Sequence, residues 1–168
     1  MKIHLLLIAL LCGLSTGNLQ AQTESTYPGT NAATFDFWIG KWLASWGDNN
    51  HGSSQIAKEM GEKIIQENFS DLGSGYFEKS WTVYNSSKNL WQQTRVDSKG
   101  TYLAFTGGAV GNDRILELKQ TTKAGKKEFV QMVFSNIQAD SFDWELKKST
   151  DEGKTWQSEW KIRYNREL

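Results

Sequence analysis

The sequence predicts an all-β protein, an antiparallel up-and-down barrel of about ten strands. From Phe35 to the end of the chain, apolar and polar side chains alternate with a period of two, which is typical of strands with one buried face. Short segments rich in Gly, Asn, Asp and Ser separate these stretches. The only proline, Pro28, lies before all of them. A long sheet joined by short turns curls and closes, because closure removes its unpaired edges.

Ten strands are expected in succession. They are predicted at residues 41–47, 54–60, 63–70, 75–85, 90–97, 101–107, 114–122, 128–137, 141–149 and 155–166. The segments between them carry the small and polar residues that turns require. The glycine-rich segment 106–111 follows a strand without opening a helix, so it is predicted to be a turn or bulge. Residues 32–39 are compatible with a short helical turn before the first strand.

The first 21 residues are predicted to be a signal peptide that directs export. Lys2 precedes the apolar run 5–14, which is too short for a membrane span of roughly 20 residues. Small and polar residues follow, and cleavage is expected between Ala21 and Gln22. The mature protein is then expected in the periplasm or secreted, and no later stretch is apolar enough to form a transmembrane segment.

Cys12 leaves two interpretations open. As a lipid attachment site it would need a small residue before it, but Leu11 occupies that position; otherwise Cys12 is one more apolar residue of the leader. Without Cys12 the mature chain has no cysteine, which excludes disulfides and cysteine-type metal sites. The mature chain would consist of a polar lead-in, 22–34, and a β-barrel domain, 35–168.

Composition argues against several classes of function. The 19 basic and 19 acidic side chains balance, which argues against bulk binding of nucleic acid or of an anionic membrane. His51, expected in a turn, is the single histidine of the mature chain, so a zinc site lacks ligands and a Ser-His-Asp triad lacks a positioned base. No cofactor is predicted. The eight tryptophans, all in the mature part, need either a core or a ligand to cover them.

Alternation places large aromatic side chains on one lining of the barrel. Trp42 and Trp46 share the inward face of the first strand, and Trp144 shares that of the ninth. The last strand is expected to face inward at every second residue, namely Trp156, Ser158, Trp160, Ile162, Tyr164 and Arg166. We therefore expect an aromatic wall inside the barrel.

The middle strands mix polar and aromatic residues on the same face. Gln93 and Arg95 share a face with Trp91, and Glu67 and Glu78 each share a face with apolar or aromatic residues of their own strand. Such a face is costly as dry core, because buried charges need partners. The pattern indicates a barrel that holds a ligand or water, unless the faces are reversed and these side chains point outward.

Residues 35–42, Phe-Asp-Phe-Trp-Ile-Gly-Lys-Trp, resemble the opening of the lipocalin and calycin barrels. There a Gly-x-Trp enters the first strand after a short helical turn, and Gly40 and Trp42 match it. The resemblance implies that Trp42 packs across the barrel floor against an arginine of the last strand. Arg166 matches by its face, with Arg163 as the alternative. A guanidinium over an indole would be a favourable cation–π contact.

More closely, the chain resembles a group of uncharacterised, secreted bacterial lipocalin-like domains with an Asp-Phe-Trp-Ile-Gly-x-Trp opening. The matching residues in mid-chain are Trp91, Gln93, Val96, Asp97 and Gly100, whereas Arg95 departs from the usual aromatic residue. The resemblance covers about residues 35–166 and implies a barrel with a small-molecule cavity, but no particular activity. Nitrobindin-like barrels share the opening and bind haem through a histidine, for which His51 is poorly placed in its predicted loop.

Residues 149–156, Ser-Thr-Asp-Glu-Gly-Lys-Thr-Trp, match the Asp-box of sialidase-like propellers and other β proteins. Asp151 is expected to accept hydrogen bonds from the turn backbone, Gly153 to adopt a positive φ, and Trp156 to cover the hairpin. The other interpretation is a glycosidase, but propellers repeat the box, whereas this chain has one copy. A structural role is preferred.

The sequence supports three functions. The preferred one is an exported lipocalin-like barrel that binds a small hydrophobic or amphipathic ligand. Its aromatic wall would be Trp46, Trp144 and Trp160, and its polar or anionic end would be oriented by Glu78, Gln93 and Arg95. One alternative is a structural or interaction domain with a packed interior. The other is an enzyme that uses Glu67, Glu78 or Asp97 as acid or base. The oligomeric state is not predicted.

Overall fold

The structure is a computed structural model that describes residues 26–71 and 73–167. The predicted signal peptide at 1–21, its cleavage site and Cys12 lie outside these described residues. Within the described residues, no helix has the length and apolar character needed to cross a membrane.

Ten antiparallel strands form one closed barrel, which confirms the predicted fold. Each strand pairs with its neighbours in the chain, and the first pairs with the last. The strands are β1 (Gly40–Trp46), β2 (Asn50–Glu59), β3 (Ile64–Asp71), β4 (Tyr76–Asn85), β5 (Leu90–Asp97), β6 (Tyr102–Val110), β7 (Asp113–Thr121), β8 (Lys127–Ser135), β9 (Ser141–Ser149) and β10 (Gln157–Arg166). A short 3-10 helix, η1 (Asp36–Trp38), precedes β1.

The glycine-rich segment is part of a strand, so its prediction as a turn or bulge was wrong. Gly107 and Gly108 lie within β6 and are buried. A Cβ atom on Gly107 would collide with the backbone carbonyl of Ile115 in β7, and one on Gly108 would collide with the Thr30 side chain. These glycines allow another chain segment to approach the backbone closely.

Two further local predictions were wrong. β2 begins at Asn50, so His51 lies in a strand, exposed and paired with Ser45 of β1, rather than in a loop. β10 begins after Trp156, and the register shifts between Ser158 and Trp160. A bulge adds one residue to a strand and thereby exchanges its faces. Ser158 is accordingly exposed, although alternation predicted it to face inward.

The segment 26–39 closes one end of the barrel, which we call the floor. Phe35 and Trp38 are buried in the core cluster. The indole Nε1 of Trp91 donates a hydrogen bond to the carbonyl of Asn31 at 3.0 Å, and Thr30 Oγ1 accepts one from the backbone of Ala109 at 2.8 Å. The segment is therefore an integral part of the barrel, and the opposite end, which we call the mouth, carries the turns that follow β1, β3, β5, β7 and β9.

At the floor, an arginine joins the last strand to the first. Trp42 and Arg166 are directly paired across β1 and β10, and the guanidinium carbon lies 4.1 Å from the centre of the Trp42 rings. Arg166 also donates hydrogen bonds to the carbonyls of Ile39 at 2.9 Å and Ala139 at 3.0 Å. Gly40 has a φ of +142°, and a Cβ there would collide with the guanidinium. The Gly-x-Trp pattern thus makes room for the arginine.

The Asp-box residues organise the turn between β9 and β10. Asp151 accepts hydrogen bonds from the backbone and hydroxyl of Thr155, at 2.9 and 2.7 Å. The hydrogen bond from the hydroxyl has the larger effect and the bond from the backbone the next, and they lower the pKa of Asp151 to about 2. Gly153 has a φ of +87°, and its carbonyl accepts a hydrogen bond from Trp156 Nε1 at 3.1 Å. Trp156 packs over the turn, outside the barrel lumen.

Replacing Arg166 by alanine should lower the free energy of unfolding by about 1–3 kcal/mol, because it removes the cation–π contact and leaves floor carbonyls without their donor. Urea unfolding followed by circular dichroism measures this loss. The matched control is Arg163→Ala, which removes a partly exposed arginine of the same strand that pairs with Asp143 at 2.8 Å. The control should cost no more than about 1 kcal/mol. Equal losses would contradict the floor role of Arg166.

Candidate functional site

Three charged side chains meet inside the barrel, on neighbouring strands. Glu67 of β3, Glu78 of β4 and Arg95 of β5 all point into the lumen, and we call them the inner cluster. Glu67 is 6 % exposed and Glu78 is 3 % exposed. The alternative that these side chains point outward is therefore wrong.

Each carboxylate of the inner cluster has its own set of partners. Glu67 accepts hydrogen bonds from the hydroxyls of Ser54 at 2.8 Å and Ser80 at 3.2 Å. Glu78 forms an ion pair with Arg95 and accepts a hydrogen bond from the hydroxyl of Tyr76 at 2.7 Å. Because the single guanidinium pairs directly with Glu78, Glu67 is satisfied by neutral donors.

These surroundings move the titration of Glu67. Burial, and next the negative charge of Glu78, raise the pKa of Glu67 to about 7, although Arg95 and the two serine hydroxyls oppose the shift. Burial by itself lowers the pKa of Arg95, but the two carboxylates outweigh it and the pKa is raised. In mildly acidic solution Glu67 is thus protonated, and the inner cluster is close to neutral.

The predicted aromatic wall lies beside Arg95. The Arg95 guanidinium carbon is 5.2 Å from the centre of the Trp144 rings. Trp160 contacts Trp144 edge to face at 5.7 Å and Trp46 at 5.4 Å. The structure thus brings these three tryptophans together, next to the inner cluster. Arg95 also lies 3.0 Å from the sulfur of Met132, which alternation alone did not single out.

A cavity of about 10 Å³ remains at the centre of the barrel. Two buried polar atoms on residues that line it, Gln93 Oε1 and Trp38 Nε1, have no hydrogen-bond partner among the described residues. The amide nitrogen of Gln93 donates to Thr82 Oγ1 at 2.9 Å. A cavity needs at least about 10–15 Å³ of such space to hold one water molecule. The centre therefore has room for about one water molecule and for no organic ligand.

A larger pocket, of about 160 Å³, opens at the mouth, and we call it the mouth pocket. Its walls come from β4, β5, β6, β9 and β10 and the turn after β5. Its lining residues are Tyr76, Glu78, Arg95, Val96, Asp97, Thr101, Leu103, Leu146 and Trp160. Glu78, Arg95 and Trp160 also line the central cavity, so the ion pair separates the two spaces.

The predicted site residues divide between these two spaces. Glu78, Arg95 and Trp160 border both, whereas Gln93 and Trp144 border only the central cavity. Trp46 borders neither and supports Trp160 from the side. Tyr76 and Leu103 are pocket residues that sequence reasoning missed. Alternation carried the signal for Tyr76, because it is two residues before Glu78 and so shares its face.

The described residues include no group of three or more His, Cys, Asp or Glu side chains that could hold a metal ion. No protein-family model matches the chain, and no curated protein matches it either. The function therefore has to be inferred from the barrel itself.

Replacing Glu67 by glutamine should remove a pH dependence of stability. The native pKa lies above the ordinary value of 4.5, so the folded state holds its proton longer than the unfolded chain. The stabilisation that the protonated Glu67 gives to the folded state is complete below about pH 4.5 and is lost as the pH rises to about 7. This loss lowers the free energy of unfolding by about 3 kcal/mol. Urea unfolding at about pH 4.5 and about pH 8 measures this difference.

In that experiment, the free energy of unfolding of the natural protein should fall by about 3 kcal/mol more between the two pH values than that of the Glu67→Gln variant. The control is Glu59→Gln, which changes an exposed carboxylate at the end of β2. The control should follow the natural protein. The protonation of Glu67 would be contradicted if the free energy of unfolding of the Glu67→Gln variant changed with pH as much as that of the natural protein.

Proposed function

We propose that this protein is an exported, lipocalin-like barrel that binds a small, uncharged, partly apolar molecule in the mouth pocket. The observation that carries the proposal is the pocket itself, because it joins an apolar wall to a polar base. Leu103, Leu146 and Trp160 supply the wall, and the Glu78–Arg95 pair supplies the base. Such pairing of apolar surface with a few convergent polar groups is typical of ligand sites.

The size of the pocket limits the ligand. Pockets for drug-sized compounds measure roughly 300–1,000 Å³, whereas the mouth pocket measures about 160 Å³. A compound with one or two rings fits this volume better than a lipid chain. One face of such a ring would pack against Trp160, because aromatic rings attract each other at their edges and offset faces.

The charge of the base favours a neutral polar group over an anion. Arg95 already pairs with Glu78, so an anionic ligand would have to displace a buried carboxylate and leave it unpaired. A hydroxyl or carbonyl group can instead share the outer edge of this pair with the Tyr76 hydroxyl. This changes the sequence-based expectation, which included an anionic end.

A packed structural barrel is the competing proposal, and the small central cavity favours it. The two proposals differ in what the mouth pocket does, so they can be separated by binding at that pocket. Catalysis by Glu67 is a weaker proposal. Its carboxyl lies beyond the Glu78–Arg95 pair, beside a space of about 10 Å³, where a substrate has no room.

Ligand-observed NMR with uncharged single-ring compounds, such as indole and benzyl alcohol, tests binding at the mouth pocket. We expect saturation transfer to at least one compound and a change in tryptophan fluorescence, since Trp160 lines the pocket. Leu103→Trp fills the pocket and should weaken binding at least about tenfold, equivalent to about 1.4 kcal/mol.

The matched control for this experiment is Val110→Trp, at an exposed position near the other end of β6. It adds the same side chain to the same strand and should leave binding unchanged. Binding that survives Leu103→Trp would place the ligand elsewhere on the protein, and no binding of any such compound would favour the packed barrel.

A further inference from the structure

The outer surface of the barrel differs sharply between its two sides. On the outward face of β9 and β10, charged side chains pair across the strands, as Glu145 does with Lys161 and Asp143 does with Arg163, and Glu145 also pairs with Lys147 of its own strand. On the outward face of β3 to β6, Lys79 is the one charged side chain among the paired outward positions. Hydroxyl, amide and aromatic residues occupy most of the rest of that face, and its aliphatic members are Ile64, Val83, Leu90, Val96 and Ala104.

Three aromatic side chains stand exposed on this face, which carries the single charge of Lys79. Phe77 is 50 % exposed, Trp81 is 38 % exposed and Tyr102 is 65 % exposed. Phe77 and Trp81 lie four residues apart on β4, so their Cα atoms are roughly 13 Å apart along the strand. Tyr102 lies two strands away, level with Lys79, because Lys79 pairs with Val96 and Val96 with Tyr102.

Polar side chains lie beside these rings, and Lys79 lies between Phe77 and Trp81 on β4. Thr94 is the direct cross-strand neighbour of Trp81, and Asn68 is that of Lys79. The Asn68 amide donates a hydrogen bond to Gln66 at 2.8 Å, and Asn85 donates one to Gln92 at 2.9 Å. The amide groups are thus held in place along the face, by bonds within and between strands.

This composition disfavours several classes of partner. Nucleic acid and anionic membranes require many cationic side chains, whereas this face offers one. The core of an interface between copies of a chain is mostly apolar, whereas eight of the sixteen paired outward positions of β3 to β6 carry polar side chains. A partner that suits the face has flat C–H surfaces, many hydroxyl groups and no charge.

We propose that the outward face of β3 to β6 binds an uncharged polysaccharide. Phe77, Trp81 and Tyr102 would stack against the C–H faces of sugar rings, which carry the partial positive charge that an aromatic face attracts. Asn68, Gln92 and Thr94 would exchange hydrogen bonds with the sugar hydroxyls. Because two of the rings lie four residues apart on β4 and the third lies two strands away on β6, an extended chain suits them better than a single sugar. This surface is separate from the mouth pocket.

Affinity electrophoresis of the protein in gels that contain xylan, mannan, hydroxyethylcellulose or the anionic polysaccharide alginate tests the proposal. At least one neutral polysaccharide should retard the protein, and the retardation should persist between about 0.05 and about 0.5 M salt, since no charge is involved. Alginate should retard it less. Trp81→Ala should weaken binding about five- to tenfold, as expected for loss of one aromatic contact.

Three controls make the outcome decisive. Trp81→Phe keeps a ring and should retain most of the binding, which separates loss of stacking from loss of folding. Lys161→Ala, on the charged side of the barrel, and Leu103→Trp, in the mouth pocket, should bind like the natural protein. The proposal is overturned if no neutral polysaccharide retards the protein. It is also overturned if sedimentation shows a dimer that Trp81→Ala dissociates, because the face would then join two copies.

Discussion

The interior of this barrel is organised around the ion pair between Glu78 and Arg95. A charge that leaves water needs a partner at close range, and the two carboxylates of the inner cluster compete for one guanidinium. Arg95 pairs with Glu78, while Glu67 accepts hydrogen bonds from two serine hydroxyls and has a raised pKa. The same pair lies between the central cavity and the mouth pocket and forms the base of the mouth pocket.

The ends of the barrel have opposite roles because they are built differently. At the floor, the segment 26–39 fills the lumen with aromatic side chains, and Arg166 over Trp42 ties the last strand to the first. At the mouth, the lumen is bordered by turns, with no counterpart of this segment among the residues that the structure describes. Tyr76 and Trp160, which contact each other at 6.4 Å, leave space between themselves and Leu103. This asymmetry leaves space at the mouth, where we propose that a ligand binds.

Alternation and turn residues were sufficient to predict ten strands and to show which residues share a face with Glu67, Glu78, Gln93 and Arg95, but they left open whether those faces point inward. Both depend on local sequence alone. The errors arose where contacts between residues far apart in the sequence determine the local structure. Gly107 and Gly108 continue a strand because Ile115 and Thr30 press against their backbone, and a glycine run shows no sign of this. The bulge before Trp160 and the pairing of Arg95 with Glu78 depend on register between strands, which no single strand encodes.

The central claim is that the mouth pocket holds a small uncharged molecule, and native mass spectrometry tests it most directly. The protein should be purified from its own host and measured intact, beside the Leu103→Trp variant. We predict an added mass on the natural protein that is absent from the variant and dissociates as a neutral compound. The account is contradicted if the natural protein has only its bare mass, both as purified and after incubation with an extract of the host.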